Sequence, residues 1–485
     1  MSDFGILSLG AYVPTLRLQR VAIAEANSWA NPNLRARAKG QRAILNWDED
    51  SLTMGLEAAR ACLVVSDVLP LSVTFASTSA PFLDRPASVI ISAALQLSAG
   101  TRTMDVGSSQ RAASSALIQM LIGRGEGAQL LIAADARPAK PGSAQELSYG
   151  AAGAAVLIGS GKPILKLRGF STNASDFVGH YRTAGEPHEY HWEERWVRDE
   201  GIAKLVPPTI KSALAGAGVA ASDVKHFIFP TSFSGVDAAT IKRTGISIDA
   251  IANSLDASVG QSGNAHALLM LHGVLSKAEV GDIVVITTFG HGCDVLVLEA
   301  TEHLAGYNPT ATMAEIAAGG KAETSYQKYL SFTGEVGMDW GIRSEFETRT
   351  ALSAQYRYAS DAAGFIAGQC SQCGTIQFPR AEICVNANCD CAGPQAPVSL
   401  REAAAEILTF TADWLSFKEC PPFCFGLVQF ANGARALMEF SDFQPEDLAV
   451  GAPVRFVYRK KEIDHQRAYH SYFWKAAPAV ISRKD

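Results

Sequence analysis

The sequence has no apolar run that approaches the roughly 20 residues that a membrane-spanning helix needs. It also has little net charge, −6 at pH 7, so neither nucleic acid nor an anionic membrane surface is expected as a partner. The opening stretch, MSDFGILSLGAYVP, has no basic segment followed by an apolar core, so no secretory signal is predicted. We therefore expect a soluble, cytoplasmic protein.

Charged residues are scarce as well, at 19% of the 485 residues, whereas apolar residues make up 48%. This composition is typical of a soluble globular protein with a large core, and the length favours two or three domains. The nine cysteines are an odd number, and four of them have metal-type spacing. Cysteine usage therefore favours a reducing compartment over a framework of disulfides.

Residues 1–300 alternate strand-like and helix-like segments, and the second part of this region repeats the pattern of the first. Strands are predicted at 71–78, 128–136, 154–160 and 224–232, helices at 86–98 and 264–278, and a pair of strands around a glycine-rich turn at 282–300. Such alternation predicts a sheet flanked by helices. The similarity of this pattern in the two parts indicates a duplicated α/β unit.

The pattern changes after residue 305. Aromatic and charged residues increase between 306 and 360, and we interpret this stretch as a connecting arm. Short strand-like runs follow the cysteine cluster, and one of them contains the hairpin signal ANG. Only 401–408 (REAAAEIL) has helical character in this region, so a small all-β domain is predicted.

Four cysteines form a cluster with the spacing of a zinc site. Two residues separate Cys370 from Cys373, four separate Cys384 from Cys389, and ten lie between the pairs. Each pair lies on a predicted tight turn, so the four thiolates can converge tetrahedrally on Zn²⁺. Four protein ligands leave no open position on the metal, so the zinc is expected to be structural. Cys391 could replace Cys389 as a ligand, and four free cysteines packed as small apolar residues are the alternative.

A strand-to-turn-to-helix segment at 103–120, TMDVGSSQRAASSALIQM, raises the question of catalysis. Its helix is predicted to start near Arg111, and the N-terminus of a helix stabilises negative charge. Many α/β enzymes place a nucleophile at such a turn. The residue at this turn is Gln110, and an amide is not a nucleophile.

Several segments together resemble the hydroxymethylglutaryl-CoA synthase branch of the thiolase superfamily, in its bacterial and archaeal form. They are GILSLGAYVP, NWDEDSLTMGLEAAR, ADARPAKPGSAQELSYGAAGAAVLIG, SDFVGHYR and DIVVITTFGHG, in the family's order across about residues 4–300. The cysteine cluster and the β domain after it resemble the zinc-ribbon and OB-fold domain that accompanies many thiolase-like enzymes.

This resemblance implies a five-layer fold of two duplicated α/β halves, with a zinc ribbon and a small OB-type β-barrel after it. The expected organisation is a thiolase-like N-terminal half (1–165), a thiolase-like C-terminal half (166–305), the arm (306–360), a zinc ribbon (361–395) and an OB-fold domain (396–485). The family is usually dimeric and has a channel for the pantetheine arm of coenzyme A. A homodimer or higher oligomer is therefore expected, and a thiolase-like partner subunit is an open alternative.

The resemblance also shows that this sequence departs from the family at its three catalytic positions. Gln110 stands where the family has its acyl-accepting Cys, Thr78 where it has its Glu, and Pro230 where it has its His. Asn264 matches a position at which related condensing enzymes have an oxyanion-binding Asn. Covalent acyl-enzyme chemistry of the family kind is therefore not expected.

We predict thiolytic, retro-Claisen cleavage of a β-keto acid or β-ketoacyl-CoA, in which the CoA thiol itself is the nucleophile. Such an enzyme must deprotonate and orient the thiol and stabilise an oxyanion. The candidate bases are His266 and His291, because imidazole titrates near neutrality. The candidate oxyanion donors are Asn264 and Gln110. Each of these residues also has a structural interpretation, as a helix cap or as a packed wall residue.

Two other functions remain open at this point. One is a catalytically inactive scaffold or CoA-binding subunit that partners an active thiolase. The other is a decarboxylase, because ketosynthase relatives with Gln at the nucleophile position decarboxylate malonyl groups. In each case coenzyme A is the expected small-molecule partner, with Lys242 and Arg243 as predicted CoA-binding residues.

A few further residues are weaker candidates. Cys293 could be a displaced nucleophile, although a small buried thiol is the simpler interpretation. The run 186–196, with His188 and His191, resembles a metal site but lacks the HExxH spacing. An aromatic pocket wall is predicted from the three side chains Phe82, Tyr181 and Trp192.

Overall fold

The computed structural model describes residues 3–343, 349 and 351–479, and the chain divides into two compact units. The first unit comprises Met1–Asn46, Asp50–Ile91 and Ser98–Val336, and the second comprises Trp47–Glu49, Ser92–Leu97 and Gly337–Asp485. Residues 1–2 and 480–485 of the predicted terminal domains, and 344–348 and 350 of the predicted arm, lie outside the described residues. Among the described helices, none combines the length and the apolar character that a membrane span requires.

The first unit is built from strands and helices that alternate along the chain. Its strands are β1 (Phe4–Tyr12), β2 (Leu16–Gln19), β3 (Gln41–Ala43), β4 (Pro70–Ala76), β5 (Arg102–Val106), β6 (Ala128–Ala136), β7 (Ala151–Ser160), β8 (Leu165–Ala174), β9 (His180–Tyr181), β10 (Tyr190–His191), β11 (Val224–Ile228), β12 (Ile283–Phe289), β13 (Gly292–Ala300) and β14 (Lys321–Glu323). Its helices are α1 (Arg20–Asn27), α2 (Ser51–Leu63), α3 (Ala87–Ala94), α4 (Ala112–Gly123), α5 (Ala144–Ser148), α6 (Glu194–Trp196), α7 (Ala203–Ala217), α8 (Val236–Thr244), α9 (His266–Leu275), α10 (Met313–Ala318) and α11 (Tyr326–Phe332).

A nine-stranded sheet forms the centre of the first unit, in the order β11-β12-β13-β8-β1-β7-β6-β4-β5. Towards one edge, β4 pairs in parallel with β5 and β6, and then β6, β7 and β1 are antiparallel. Towards the other edge, β11 and β12 are parallel, and then β12, β13 and β8 are antiparallel. The two parts meet where Ile6 pairs with Leu165. Strands β4-β6-β7-β1 on one side and β11-β12-β13-β8 on the other thus share one pairing pattern, and β5 has no counterpart.

Two helices of this unit begin beside the cavity described below. Helix α9 is buried on nearly all sides, from His266 to Leu275, which is typical of a helix enclosed in a large core. Helix α4 buries Leu117, Ile118 and Leu121 in the same apolar cluster. Because their burial fixes both helices, it also fixes the turns from which they start.

The predicted arm is divided between the two units. Helices α10 and α11 and strand β14 belong to the first unit. Strand β14 pairs in parallel with β2, with Lys321 opposite Leu16. The chain up to Val336 is therefore a part of the first unit and not a free connection. The other predicted domain boundaries stay predictions.

The second unit contains two short helices and two antiparallel sheets. Its elements are α12 (Leu352–Arg357), α13 (Ala359–Gly364), β15 (Ile366–Gln369), β16 (Ile376–Gln377), β17 (Ala396–Ser399), β18 (Ala405–Ile407), β19 (Thr411–Asp413), β20 (Phe423–Phe430), β21 (Arg435–Glu439), β22 (Pro453–Asp464) and β23 (Tyr469–Pro478). Strands β15–β17 form a three-stranded sheet, and β18–β23 form a six-stranded sheet. The hairpin predicted from ANG joins β20 to β21, with Gly433 at a positive φ of 90°.

The helical character of 401–408 is a wrong prediction. Ala405–Ile407 is strand β18, which pairs with β20 on one side and β22 on the other. The side chain of Ile407 is fully buried. Sheet pairing and burial therefore override the helix propensity of an alanine-rich segment.

Candidate active site

A cavity in the first unit brings together residues from both predicted halves. Gln110, Pro230, Asn264 and His291 all line it. Gln110 Nε2 donates a hydrogen bond of 3.3 Å to Thr78 Oγ1. The positions at which the resemblance aligns the family's Cys, Glu and His are therefore neighbours around one cavity.

The turn that carries Gln110 is held against the turn that carries His291. Ser109 Oγ donates to the carbonyl oxygen of Gly290 at 3.0 Å. A Cβ atom at Gly290 would lie 3.2 Å from the Cβ of Gln110, so the glycine permits this close approach. The Oε1 atom of Gln110 is buried and makes no hydrogen bond to the described residues. The side-chain amide therefore keeps polar capacity for a ligand.

An ion pair between Arg111 and Asp294 joins the same two turns. Arg111 Nη1 lies 2.9 Å from Asp294 Oδ1, and its Nε donates to the carbonyl oxygen of Gly290 at 3.1 Å. The carboxylate of Asp294 is fully buried and also accepts hydrogen bonds from the hydroxyls of Ser114 and Ser115. The sequence analysis missed this pair. Its sequence signal is Asp294, one of two acids in the mostly apolar strand β13.

His291 lies in the cavity with a defined tautomer. Its Nε2 is 3.0 Å from the carbonyl oxygen of His180. A carbonyl oxygen only accepts, so Nε2 carries the hydrogen and Nδ1 is the unprotonated nitrogen of the neutral ring. The residue has a φ of 53°, a left-handed conformation that is costly outside glycine. The geometry thus presents an imidazole with one free basic nitrogen.

His266 does not line the cavity, and the structure gives it a different environment. Its ring is fully buried, Nε2 donates to the carbonyl oxygen of Ser254 at 2.8 Å, and Nδ1 accepts from the backbone N–H of Ser262 at 3.2 Å. Burial lowers the pKa of His266 to about 4. Both ring nitrogens of His266 are therefore already bonded within the protein.

Asn264 lines the cavity, but its amide is engaged with the protein. Nδ2 donates to the carbonyl oxygen of Ser109 and to Asp135 Oδ2, each at 3.1 Å. Oδ1 accepts from the backbone N–H of Ala113 at 3.0 Å. Both N–H bonds of the amide are therefore in use, one on the Gln110 turn and one on Asp135, while the amide oxygen holds the start of α4.

Asp135 is a second buried residue that the sequence analysis missed. Its side chain is fully buried, and Oδ1 accepts hydrogen bonds from residues of the segment 77–79. Oδ2 accepts from Asn264, and a Cβ atom at Gly263 would lie only 2.4 Å from it. The signal for Asp135 is a single acid near the end of the apolar strand β6.

A further polar cluster forms a wall of the cavity around Glu189. Arg137 Nε donates to Glu189 Oε1 at 2.8 Å, and Tyr149 OH donates to Oε2 at 2.9 Å. His191 Nε2 lies 2.8 Å from Tyr149 OH and 3.2 Å from Glu189 Oε2. Burial raises the pKa of Glu189, but the hydrogen bond from His191 and the charge of Arg137 outweigh burial and hold it far below its usual range. Arg137 in the cavity wall is therefore neutralised by Glu189, which does not itself line the cavity.

His180 is the third histidine of the cavity. Its ring is stacked with that of His191, with centroids 5.8 Å apart, and tilted against that of His291 at 5.4 Å. Burial and the charge of Arg137 lower the pKa of His180 to about 3. The sequence feature that could have identified these residues is the high content of histidine and acidic residues at 180–196.

Other predicted site residues lie away from the cavity. Lys242 and Arg243 are exposed in the last turn of α8, and Arg243 donates to the carbonyl oxygen of Ala203. Cys293 is fully buried, and burial raises its pKa to about 12. His188 pairs with Glu335 at 2.8 Å.

The apolar part of the cavity differs from the predicted aromatic wall. Trp192 lines the cavity, but Phe82 and Tyr181 are not among its lining residues. Phe177, Phe229, Phe233 and Phe289 line it instead. Phe177 and Phe289 are in contact, with ring centroids 6.1 Å apart. These phenylalanines come from segments far apart in the sequence, so no local pattern identified them.

In the second unit, the four predicted zinc ligands converge. The Sγ atoms of Cys370, Cys373, Cys384 and Cys389 all lie within 4.8 Å of one another. Cys391 is outside this group, with its Sγ 3.7 Å from Ser371 Oγ. Four sulfur donors in this arrangement fit a tetrahedral, structural Zn²⁺.

Comparison with known proteins gives relatives that match about two thirds of the chain. No family model matches the chain. The hydroxymethylglutaryl-CoA synthase of Aeropyrum pernix is 28% identical over 345 residues, which is 69% of this chain and 95% of that protein. The hydroxymethylglutaryl-CoA synthase of Caldivirga maquilingensis is 26% identical over 340 residues, 68% of this chain and 97% of that protein.

Solved structures of similar fold include an HMG-CoA synthase complexed with CoA. It has a TM-score of 0.59 and 17% identity, over 72% of this chain and 95% of that one. The 3-oxoacyl-(acyl carrier protein) synthase III of Pseudomonas aeruginosa has a TM-score of 0.55 and 20% identity, over 62% of this chain and 99% of that one.

Homologues of the hydroxymethylglutaryl-CoA synthase type, within the thiolase superfamily, thus cover about 69% of the chain. The mixed α/β fold with its large central sheet is thiolase-like. The relatives are thiolase-like, CoA-dependent acyltransferases, and they support an enzyme of this general kind.

Proposed function

We propose that this protein is a CoA-dependent acyltransferase that cleaves a carbon–carbon bond of a β-keto substrate, with the CoA thiol as the direct nucleophile. The cavity supports this proposal because it combines an amide, Gln110, at the nucleophile turn with a free basic nitrogen on His291. Within the described part of the chain, no cysteine lines the cavity. The relatives' names supply CoA as the acyl carrier.

The reaction needs one base and no further reactant. His291 Nδ1 takes the proton of the CoA thiol, and the sulfur attacks the ketone carbon, forming a C–S bond while the carbonyl electron pair moves to oxygen. Collapse of this intermediate breaks the bond between the ketone carbon and the α-carbon. The electron pair passes into the second carbonyl as an enolate, and the α-carbon then takes the proton from His291. The products are an acyl-CoA and the shortened carbonyl compound.

Gln110 takes the role of an electrostatic partner for the reacting carbonyl. Its Nε2 has two hydrogens, and the bond to Thr78 uses only one. The second can meet the oxygen on which negative charge develops, a contribution of about 3 kcal/mol for one donor at such sites. Lys242 and Arg243 remain the proposed contacts for CoA phosphates, since both are exposed cations on α8.

The remaining features of the proposal are structural. We propose a structural zinc at the four converged cysteines and an OB-type arrangement for the six-stranded sheet. A homodimer is supported by β5, which is an edge of the nine-stranded sheet with Met104 exposed. An exposed edge strand is suited to pairing with a second copy of the chain.

The test is mass-spectrometric product analysis of the purified full chain. β-Ketoacyl-CoAs and β-keto acids are supplied with and without free CoA, to the wild type and to His291→Ala, Gln110→Ala and His188→Ala. We expect acyl-CoA only when CoA is added, with losses of about 100-fold in His291→Ala and Gln110→Ala. His188→Ala, outside the cavity, should match the wild type.

Other results would contradict the proposal in distinct ways. Loss of CO₂ from malonyl-CoA in the absence of free CoA would identify a decarboxylase. A protein that binds CoA but converts no substrate would be a scaffold or CoA-binding subunit. Full activity of His291→Ala would exclude His291 as the base.

A further inference from the structure

We propose that His180 holds the ketone oxygen of the substrate by donating a hydrogen bond from a neutral imidazole ring. This inference rests on the proposed cleavage reaction and adds a group that contacts the substrate directly. Two neighbouring histidines then have different roles, because His291 moves the proton and His180 stabilises the oxygen.

The cavity requires such a donor, because thiol attack places negative charge on the ketone oxygen. The residue that the family resemblance offers for this task is Asn264. Its two N–H bonds are already donated to Ser109 O and Asp135 Oδ2. Turning the amide towards a substrate would break both bonds and remove one of the two donors that Asn264 gives to the buried Asp135 Oδ2, which is costly. A donor other than Asn264 must therefore join Gln110 at the oxygen.

His180 is placed to do so. Its ring lines the same cavity as Gln110, and its nitrogens make no hydrogen bond to any described residue, so an N–H is free for a ligand. Two residues further on, Arg182 Nη2 donates to the carbonyl oxygen of Thr78 at 2.6 Å, and Thr78 Oγ1 accepts from Gln110. This chain of contacts holds the segment that carries His180 beside the Gln110 turn.

The neighbours of His180 fix both its orientation and its charge. Its ring lies between those of His191 and His291, and its carbonyl oxygen accepts from His291 Nε2. Burial and the positive charge of Arg137 lower the pKa of His180, and His191 and His291 act in the same direction, against the opposing charge of Glu189. The ring is therefore neutral near pH 7. A neutral ring keeps one N–H as a donor, and the lowered pKa of His180 makes its other nitrogen a weak base.

The experiment uses acetoacetyl-CoA labelled with ¹³C at the ketone carbon as a probe. Infrared difference spectra of the bound probe, recorded without free CoA, report the hydrogen bond to the ketone oxygen before any reaction. The proteins compared are the wild type, His180→Ala, His180→Asn, which retains an N–H donor, and His188→Ala, which alters a histidine of the same segment outside the cavity. Turnover with added CoA is measured on the same samples.

We expect a lowered ketone frequency in the wild type and in His188→Ala, and a shift back towards the solution value in His180→Ala, where Gln110 is still present as a donor. The kcat of His180→Ala should fall about 100-fold, with KM for CoA changed less than about threefold, and His180→Asn should recover part of the loss. An unshifted ketone band in the wild type, or the same band in His180→Ala as in the wild type, would overturn the assignment.

The two proposals can fail separately. A His180-dependent shift without acetyl-CoA formation on addition of CoA would overturn the cleavage reaction and leave the role of His180 in carbonyl binding. Cleavage without a His180-dependent shift would do the opposite. A wild type that does not bind acetoacetyl-CoA would contradict both.

Discussion

Asp135 and Asn264 are joined by two hydrogen bonds across the two halves of the first unit. Asp135 Oδ2 accepts from the backbone N–H of Asn264 at 2.8 Å and from its Nδ2 at 3.1 Å. The other carboxylate oxygen accepts from the segment 77–79, which includes Thr78. One buried carboxylate therefore positions both the Asn264 turn and the residue that bonds Gln110.

Replacing Asp135 with Asn should destabilise the protein by about 3 kcal/mol, because an amide N–H₂ would face groups that are themselves donors. Urea-induced unfolding of the full chain measures this change. Asp84→Asn, at an exposed position, is the matched control and should stay within about 0.5 kcal/mol of the wild type. Equal stability of Asp135→Asn and the wild type would show that the network is not a structural determinant.

His266→Ala should reduce stability without removing catalysis. The substitution leaves the carbonyl oxygen of Ser254 and the N–H of Ser262 without partners in a buried place, at a cost of about 3 kcal/mol. Because His266 does not line the cavity, kcat of the folded protein should stay within about twofold of the wild type. A normal unfolding midpoint combined with a large loss of kcat would instead identify His266 as the base.

Stability should fall as the pH is lowered from 7 to 5. Burial lowers the pKa of His266 and His272 to about 4 in the folded protein, whereas in the unfolded chain it is about 6.5. At a pH between these two pKa values, both histidines are protonated in the unfolded chain and neutral in the folded protein. The stability that the neutral rings contribute is therefore complete above about pH 6.5 and is lost on acidification. Each histidine should account for about 2 kcal/mol over this interval.

The variant His272→Leu separates one of these contributions. Burial alone lowers the pKa of His272. The leucine substitution therefore removes a titratable group without removing an ion pair. The difference in unfolding free energy between pH 7 and pH 5 should shrink by about 2 kcal/mol, while His465→Ala, at an exposed position, should leave it unchanged. An identical pH dependence of His272→Leu and the wild type would refute the assignment.

Cys293→Ala should retain wild-type activity to within about twofold. Its thiol is fully buried outside the cavity, and a pKa of about 12 keeps it protonated at neutral pH, so it is not a nucleophile. Steady-state kinetics and the intact mass of the protein after incubation with acyl-CoA test this. Loss of turnover in Cys293→Ala, together with an acyl adduct on the wild type, would replace direct attack by CoA with a covalent mechanism.

The purified protein should contain about one zinc ion per chain, measured by elemental mass spectrometry. Cys373→Ser should lose the metal, because Cys373 belongs to the converged group, whereas Cys391→Ser should keep it. The metal also stabilises the fold around it, so a chelator should lower the unfolding temperature of the wild type. Equal loss of zinc in both variants would place Cys391 in the ligand set.

Local pattern explains which parts of the fold were predictable. The strand predicted at 128–136 coincides with β6, and the helix predicted at 264–278 contains α9. Both segments carry a long apolar run, and apolar periodicity and β-branched content act within one element. The four cysteines were also predictable, since both ligand pairs are close in sequence. The helix prediction for 401–408 was wrong because pairing with neighbouring strands, and not the segment's own helix propensity, makes it a strand.

The order of the elements, the cysteine cluster and the position of Gln110 at a strand-to-helix turn all follow from local patterns in the amino-acid sequence. Which histidines share the cavity depends on contacts between distant segments. His180 and His291 meet although more than 100 residues separate them, whereas His266, two residues from Asn264, is turned into the core. Hydrogen-bond partners and burial set the chemistry of a polar side chain, and both depend on contacts that no local pattern contains.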